Sequence, residues 1–306
     1  MTDNSVDALD GPVPFRAPRG VDWLPLLVLP SLVIALRNDI APWVCTWALA
    51  GAIFISCKWL TFTRAIASGF EPVLSRALAH FFAWPGMDAS EFLGRTSPAP
   101  GKIPAREWLF GCLKTLAGAA LLSFASHGAF GGNPLIAGWV GMVGIILLLH
   151  FGLFDLLALA WRRGGVNVTG VMRQPMAARS LSEFWGKRWN TAFNALARDL
   201  AFRPMSRKLS VPQNTLAVFL LSGIVHDLVI SLPARGGFGL PTAYFLFQGV
   251  AVLVERSSMG RRFGLGKGFR GWLFTLLCTA GPAFWLFHPP FVMNVILPML
   301  HAIGTN

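Results

Sequence analysis

Phe219-Leu220-Leu221-Ser222-Gly223-Ile224-Val225-His226-Asp227-Leu228-Val229-Ile230 sets the fold. It lies inside an apolar run, Asn214–Leu232, long enough to cross most of a bilayer as a helix. A His–Asp pair in the middle of such a span is costly, so it is a functional candidate by default. Ser222 and Gly223 lie four and three residues before His226 on the same helix face and leave room for a partner to approach the imidazole. Asp227 is about 100° further round the helix. It does not simply orient its neighbour and is expected to meet another helix. Read alone, His226 is either a catalytic base or one end of an interhelical hydrogen bond.

Composition carries the membrane reading to the whole chain. Of 306 residues, 54% are hydrophobic and 13% charged, with 12 Trp and one Tyr; a soluble domain carries about a quarter charged residues. The expectation is an all-α, polytopic bundle of about eight spans with interfacial helices. Residues 1–20 read as a disordered cytoplasmic tail, and 21–306 as a single transmembrane domain. The spans are expected at Trp23–Leu36, Pro42–Cys57, Trp108–Ser126, Leu135–Trp161, Asn214–Leu232, Leu240–Val254 and Trp272–Phe287. A short final run, Phe291–Ile303, crosses or only dips in. Thr61–Trp84 is amphipathic and too charged to cross, so it is placed along the interface. Gly138, Gly141 and Gly144 recur every three residues and mark close helix packing.

The net charge of +12 is distributed as membrane topology requires, and nucleic acid need not be invoked. Ten of the 26 Lys/Arg lie between Trp161 and Ser210, against Glu183 and Asp199 alone, and five more between Glu255 and Arg270. The intervening loops 127–134 and 233–239 hold only Arg235, so the basic loops and the N-terminus are cytoplasmic. A bacterial cell membrane or its equivalent is the expected location. The four Cys stand singly in apolar runs, and no Cys/His spacing suggests a metal. The six His form no HxxxH or HxxHH pair, and no HExxH or GxSxG motif is present. His80, His127, His288 and His301 read as interfacial, and Asp155 as a structural group.

A second stretch stands out: Arg179-Ser180-Leu181-Ser182-Glu183-Phe184-Trp185-Gly186-Lys187-Arg188-Trp189-Asn190. Ser180 and Glu183 fit a capping box, so a helix is expected to start there. Leu181, Trp185, Trp189, Ala192, Leu196 and Leu200 would then share an apolar face, with Lys187, Asn190, Asn194 and Arg198 on another. Alone, this is equally an interfacial anchor.

Together, these elements resemble the wax synthase-like branch of the membrane-bound O-acyltransferases. The resemblance rests on His150-Phe151-Gly152-Leu153-Phe154-Asp155, Trp161-Arg162-Arg163-Gly164, Gln174-Pro175-Met176, Phe184 to Asn190, and Ser222 to Asp227. The Ala83-Trp84-Pro85-Gly86-Met87-Asp88 turn adds to it, and the likeness covers roughly residues 80–256. The Phe-Trp-Gly-Lys-Arg-Trp-Asn stretch paired with Ser-Gly-x-x-His is the specific part. Lys187 stands where many members have Arg, and Asp227 where many have Glu.

The resemblance implies transfer of a fatty acyl group from acyl-CoA, as cosubstrate and without a further cofactor, to a hydroxyl. A long-chain alcohol giving a wax ester is the first expectation; a sterol, a glycan or a natural product is the variant. It implies His226 as the catalytic residue and Asn190 near the reaction centre, either on the thioester carbonyl or orienting His226. Trp185, Lys187, Arg188 and Asn194 would take the acyl-CoA, with basic groups on its phosphates. Membrane lipids are the other expected partners. A proton-relaying transporter is the rival class, but the inverted repeats expected of one are not visible. A catalytically dead scaffold is the third reading.

Overall fold

The computed structural model describes residues 18–94, 103–128 and 132–304. Most of the expected tail, residues 1–17, lies outside the described residues. Every regular element among them is helical. We label as α1 to α10 the helices Leu24–Ala35, Pro42–Ala67, Leu74–Phe82, Ala105–Ser126, Pro134–Arg163, Thr191–Ala197, Val211–Ala234, Leu240–Arg256, Gly268–Leu286 and Pro289–Gly304.

Among the described residues, α2, α4, α5 and α7 are long and apolar enough to cross a membrane. The pair α9 and α10, bent by 60° at the break between them, makes a fifth if counted as one span. The expected eight spans are therefore not confirmed. Each shortfall has a cause. α1 runs only 12 residues, well under the roughly 20 that a bilayer needs. α8 has 17 residues, and its side chains Tyr244, Phe245, Gln248, Val252 and Glu255 are buried in protein rather than facing lipid. Trp272–Phe287 and Phe291–Ile303 are the two arms of the bent pair.

The second span departs in the other direction. It was expected to stop before Lys58, yet α2 continues to Ala67. Lys58 is completely buried. Its ammonium donates to the Gly86 carbonyl at 2.6 Å and sits 5.3 Å from the centre of the Phe54 ring. With both partners in place, the lysine side chain stays inside the helix packing instead of ending it.

The interfacial segment survives in shorter form as α3. Leu74, Leu78 and Phe82 recur every four residues and are exposed, as an interfacial helix requires. On its other side Arg76 donates to the Phe92 carbonyl at 2.5 Å. His80 is completely buried among Phe62, Phe81 and Phe92 rather than interfacial. Neither of its ring nitrogens has a hydrogen-bond partner among the described residues. Burial, with the Lys58 charge adding to it, pushes its pKa down to about 3. The unfolded chain thus binds a proton that the folded chain refuses. Stability is expected to fall as pH drops from about 6.5 towards 3, by about 1.4 kcal/mol per unit. His80→Phe should flatten that slope in detergent-solubilised protein. An unchanged slope would place the acid sensitivity elsewhere.

The three regularly spaced glycines do mark close packing. A Cβ on Gly138 would lie 2.2 Å from Val292 and one on Gly141 2.8 Å from Leu300, both on α10; one on Gly144 would lie 2.9 Å from the α4 backbone. Across the same α4–α5 contact Lys114 pairs with Asp155, and Arg162 with Glu107 at 3.5 Å. Asp155 is thus a structural group that ties two spans together.

Candidate active site

The stretch 179–190 is not one continuous helix. Ser180 Oγ accepts from the Glu183 N–H at 2.9 Å, so the expected start is correct. Glu183, however, reaches the Arg179 N–H at 2.7 Å, one residue earlier than a capping box requires. One α turn and one π turn follow, and the chain then opens at Trp189, whose backbone is extended. Asn190 takes left-handed angles, φ 43°, ψ 59°, and caps α6 by accepting from the Phe193 N–H at 3.5 Å. Asn tolerates that conformation and serves well as a cap. The expected shared face from Leu181 to Leu200 therefore ends at this break. Trp189 folds back and stacks on Phe184 with centroids 5.6 Å apart.

The stretch is docked by α8. Buried Glu255 accepts from the N–H of Leu181, from the Ser182 N–H at 3.3 Å and from the Ser182 hydroxyl at 2.6 Å. The Trp185 indole N–H donates to Gln248 Oε1 at 3.2 Å. Gln248 in turn donates to the Cys278 carbonyl at 2.7 Å, which brings in α9.

This docking connects the 179–190 stretch to His226 through aromatic rings. Phe184 lies 5.0 Å from Trp185, and Trp185 lies 5.7 Å from Phe245 on α8. Phe245 lies 4.3 Å from the His226 ring on α7. At the far end Phe151 of α5 meets Trp189 at 6.3 Å. A continuous line of rings thus joins three helices and the motif to the histidine.

His226 is half-buried, and its proton position follows from its partner. Nδ1 is 2.7 Å from the Ser222 carbonyl oxygen, which can only accept. Neutral His226 therefore carries its proton on Nδ1 and leaves the Nε2 lone pair free, as a base needs. Its own helix orients it, and no hydrogen bond to Asn190 is present among the described residues. The space beside Gly223 is taken by α8: a Cβ there would lie 2.7 Å from Thr242 Cα. Asp227 meets that same helix, accepting from the Thr242 N–H at 3.1 Å and the Gly239 N–H at 2.9 Å.

On the other side of α6 lies a cavity of about 260 Å³. Arg173, Lys187 and Arg198 line it, with Thr169, Thr191, Asn194, Asp88 and Glu91. Burial pushes the Glu91 carboxyl up, an effect the Thr169 hydroxyl partly offsets. Lys187 is exposed and free of partners among the described residues. Asn194 donates to the Trp185 carbonyl, which leaves its Oδ1 without a partner among them. Two expected acyl-CoA contacts do not line the cavity. Trp185 belongs to the ring line. Arg188 is held by Glu183 at 2.7 Å and by the carbonyls of Arg173 and Gln174 at 3.1 and 3.2 Å. The Arg179 N–H, with Arg188 beside it, holds the Glu183 carboxyl below its usual range.

His226 does not line this cavity either. Met87, Val171 and Ala192 separate the two: all three line the cavity, and Val225 and Val229 pack against the cluster they form. Arg198 was expected on the polar face with Lys187 and Asn194, and all three line the cavity; Arg173 and Thr169 were not singled out in the sequence. Only the density of cations between Trp161 and Ser210 pointed towards them. Among the described residues no three His, Cys, Asp or Glu side chains gather as a metal site.

Residues 168–247, which hold both Asn190 and His226, match the Membrane bound O-acyl transferase family. The chain is 29% identical over 146 residues to the probable long-chain-alcohol O-fatty-acyltransferase 7 of Arabidopsis thaliana, covering 42% of each. It is 27% identical over 144 residues to the long-chain-alcohol O-fatty-acyltransferase of Simmondsia chinensis, 42% of this chain and 40% of that protein. It is also 29% identical over 129 residues to the acyl-CoA–sterol O-acyltransferase 1 of Arabidopsis thaliana, 39% and 37%. The chain thus spans about two fifths of the length of these relatives. The resemblance to the wax synthase-like branch is borne out. These relatives are plant proteins, which lends no support to a bacterial membrane.

Proposed function

We propose that the protein is an integral-membrane acyltransferase that moves an acyl group from acyl-CoA to a hydroxyl, a long-chain alcohol first, with His226 as general base. The observation that carries the reading is the free Nε2 of His226, held within the matched segment by the Ser222 carbonyl and the Phe245 ring. An alcohol is a weak nucleophile in a water-poor site and needs a base near neutral pH. Nε2 takes the hydroxyl proton as the oxygen attacks the thioester carbonyl carbon. The carbon–sulfur bond then breaks, and the imidazolium returns the proton to the departing thiolate. No covalent enzyme intermediate is needed, since the thioester is already activated.

Asn190 has spent its Oδ1 on the cap of α6, and its Nδ2 has no partner among the described residues. That favours Nδ2 as a donor to the developing oxyanion over a role in holding the histidine. Arg173, Lys187 and Arg198 would take the phosphates of the donor on the cytoplasmic side.

Lys187→Gln with Arg198→Gln is expected to raise the KM for acyl-CoA about five- to tenfold and to leave kcat nearly unchanged, an effect that shrinks in high salt. A fall in kcat at constant KM would remove the cavity from donor binding. The reading as a whole is tested in a host lacking neutral-lipid synthesis, with labelled acyl-CoA and long-chain alcohols or sterols supplied separately. Labelled ester from one acceptor supports the transfer and names its class. No ester from any hydroxyl acceptor overturns the reading.

A further inference from the structure

Beyond His226 along α7 lies a buried polar cluster that the proposed transfer does not use. Ser231 and His288 are both completely buried. His288 is thus not the interfacial histidine that the sequence suggested. His288 Nδ1 accepts from the Phe291 N–H at 3.2 Å, so the ring proton is on Nε2. Nε2–H therefore donates to Ser231 Oγ at 3.1 Å. The Ser231 hydroxyl has two acceptors in reach, Asp227 Oδ1 at 2.8 Å and the Gly237 carbonyl at 3.3 Å, and the shorter bond to the carboxylate is the stronger. Asp227 Oδ1 also accepts from the Gly239 N–H, and Oδ2 from both the N–H and the hydroxyl of Thr242. No cation pairs with Asp227 among the described residues, yet its carboxylate accepts four hydrogen bonds.

The cluster knots three elements together. The π turn Asp227–Ser231 sets two of its side chains one above the other. Gly239 and Thr242 are the cap and first turn of α8. His288 caps the start of α10, in the break between α9 and α10. Gly237 makes room for the imidazole: a Cβ there would lie 2.4 Å from the His288 ring, and φ is +71°. Asp227 is only half-buried, but Ser231 and His288 are completely buried, and polar groups buried that deeply are costly unless satisfied. A plain apolar joint would hold three helices without that cost.

What the knot fixes is the surroundings of His226. Asp227 is the next residue, so its anchoring holds the backbone at the histidine. Thr242 is one turn before Phe245 on the same face of α8, and Phe245 packs on the imidazole at 4.3 Å. The geometry points to Asp227, Ser231 and His288 as a positioning unit for His226, in which His288 acts through Ser231, Asp227 and the first turn of α8. This rests on the reading of His226 as the base.

Two substitutions of His288 separate positioning from plain structure. His288→Asn keeps an acceptor for the Phe291 N–H but cannot reach Ser231. His288→Gln places an amide donor near the position of Nε2. Reconstituted full-length protein is assayed for kcat, KM, thermal midpoint and the rate at which diethylpyrocarbonate modifies His226, read by mass spectrometry. Ser231→Ala and His288→Asn are expected to lower kcat at least about tenfold, with the KM for acyl-CoA within about twofold, as a misplaced base would. His226 modification should change in both, and His288→Gln should return both readouts towards wild type. Wild-type kcat and wild-type His226 reactivity in His288→Asn and Ser231→Ala would overturn the proposal. So would unfolding of all three variants, which would leave the cluster a structural joint only. If wild type forms no ester, the transferase reading fails, and His226 reactivity still decides whether the knot positions that ring.

Discussion

His226→Ala is expected to lower kcat by about 10²- to 10⁴-fold, the usual worth of a positioned general base. Nothing else among the described residues offers a free imidazole nitrogen at the end of the ring line from Trp185 through Phe245. The KM for acyl-CoA should stay within about twofold, because the cationic cavity that would hold the donor lies on the other side of α6. His226→Gln fills much of the same volume against Phe245 but cannot act as a base. It should be as inactive as the alanine variant while keeping the thermal midpoint of wild type. The check is initial-rate kinetics on purified protein with a long-chain alcohol, alongside thermal unfolding of each variant. Activity in His226→Gln would show that the ring contributes packing rather than proton transfer.

Glu255→Ala should be the most damaging single change outside the proposed chemistry. Glu255 is buried, and its carboxylate accepts from two backbone N–H groups and a hydroxyl at the start of the motif. Removing it leaves those donors without partners at a helix start, where no intrahelical acceptor exists. Each unsatisfied buried donor costs about 1–3 kcal/mol, so a loss of about 3–5 kcal/mol is expected. Activity should fall with it, because the start of the motif that Glu255 anchors is one turn before Trp185, which packs on Phe245. Glu255→Gln should recover part of both, since a carboxamide oxygen still accepts. A wild-type thermal midpoint in Glu255→Ala would mean that the motif is held by the Trp185–Gln248 bond and ring packing alone.

The membrane character of the chain was plain in its apolar runs, and four of them became helices of spanning length. The number of spans was not legible, for a physical reason. Leu240–Val254 packs Tyr244, Phe245, Gln248 and Val252 into protein, and a helix buried in protein is as apolar as one facing lipid. Trp272–Phe287 leaves Leu273, Leu277 and Phe284 exposed, but it is one arm of a bent pair, and an apolar run does not announce the bend. Lys58 shows the converse error. A lysine ordinarily ends a span, but one donating to the Gly86 carbonyl does not, and that partner is 28 residues away. Asn190 and His226 stand out in the sequence as candidates because their residue types and spacing carry the resemblance, and both fall in the matched segment. The break at Trp189–Asn190 was half-legible, since Asn is a favoured cap, but the aromatic periodicity argued for one continuous helix. The Glu255 and Gln248 docking contacts and the His288 knot were not, because each depends on side chains more than 50 residues apart. Local pattern holds no information on such pairs.

On the proposed function, the acyl donor is held by the cationic cavity and its thioester reaches past Met87, Val171 and Ala192 to the Nε2 side of His226. The most direct test of that placement is a cryo-EM structure of the full chain with a non-reactive thioether analogue of long-chain acyl-CoA. Phosphate density is expected against Arg173, Lys187 and Arg198, with the sulfur and first acyl carbons on the Nε2 side of His226. Density for the analogue with its sulfur away from His226, for example with the chain in the apolar groove between Leu24, Val28, Trp59 and Phe81, would contradict it.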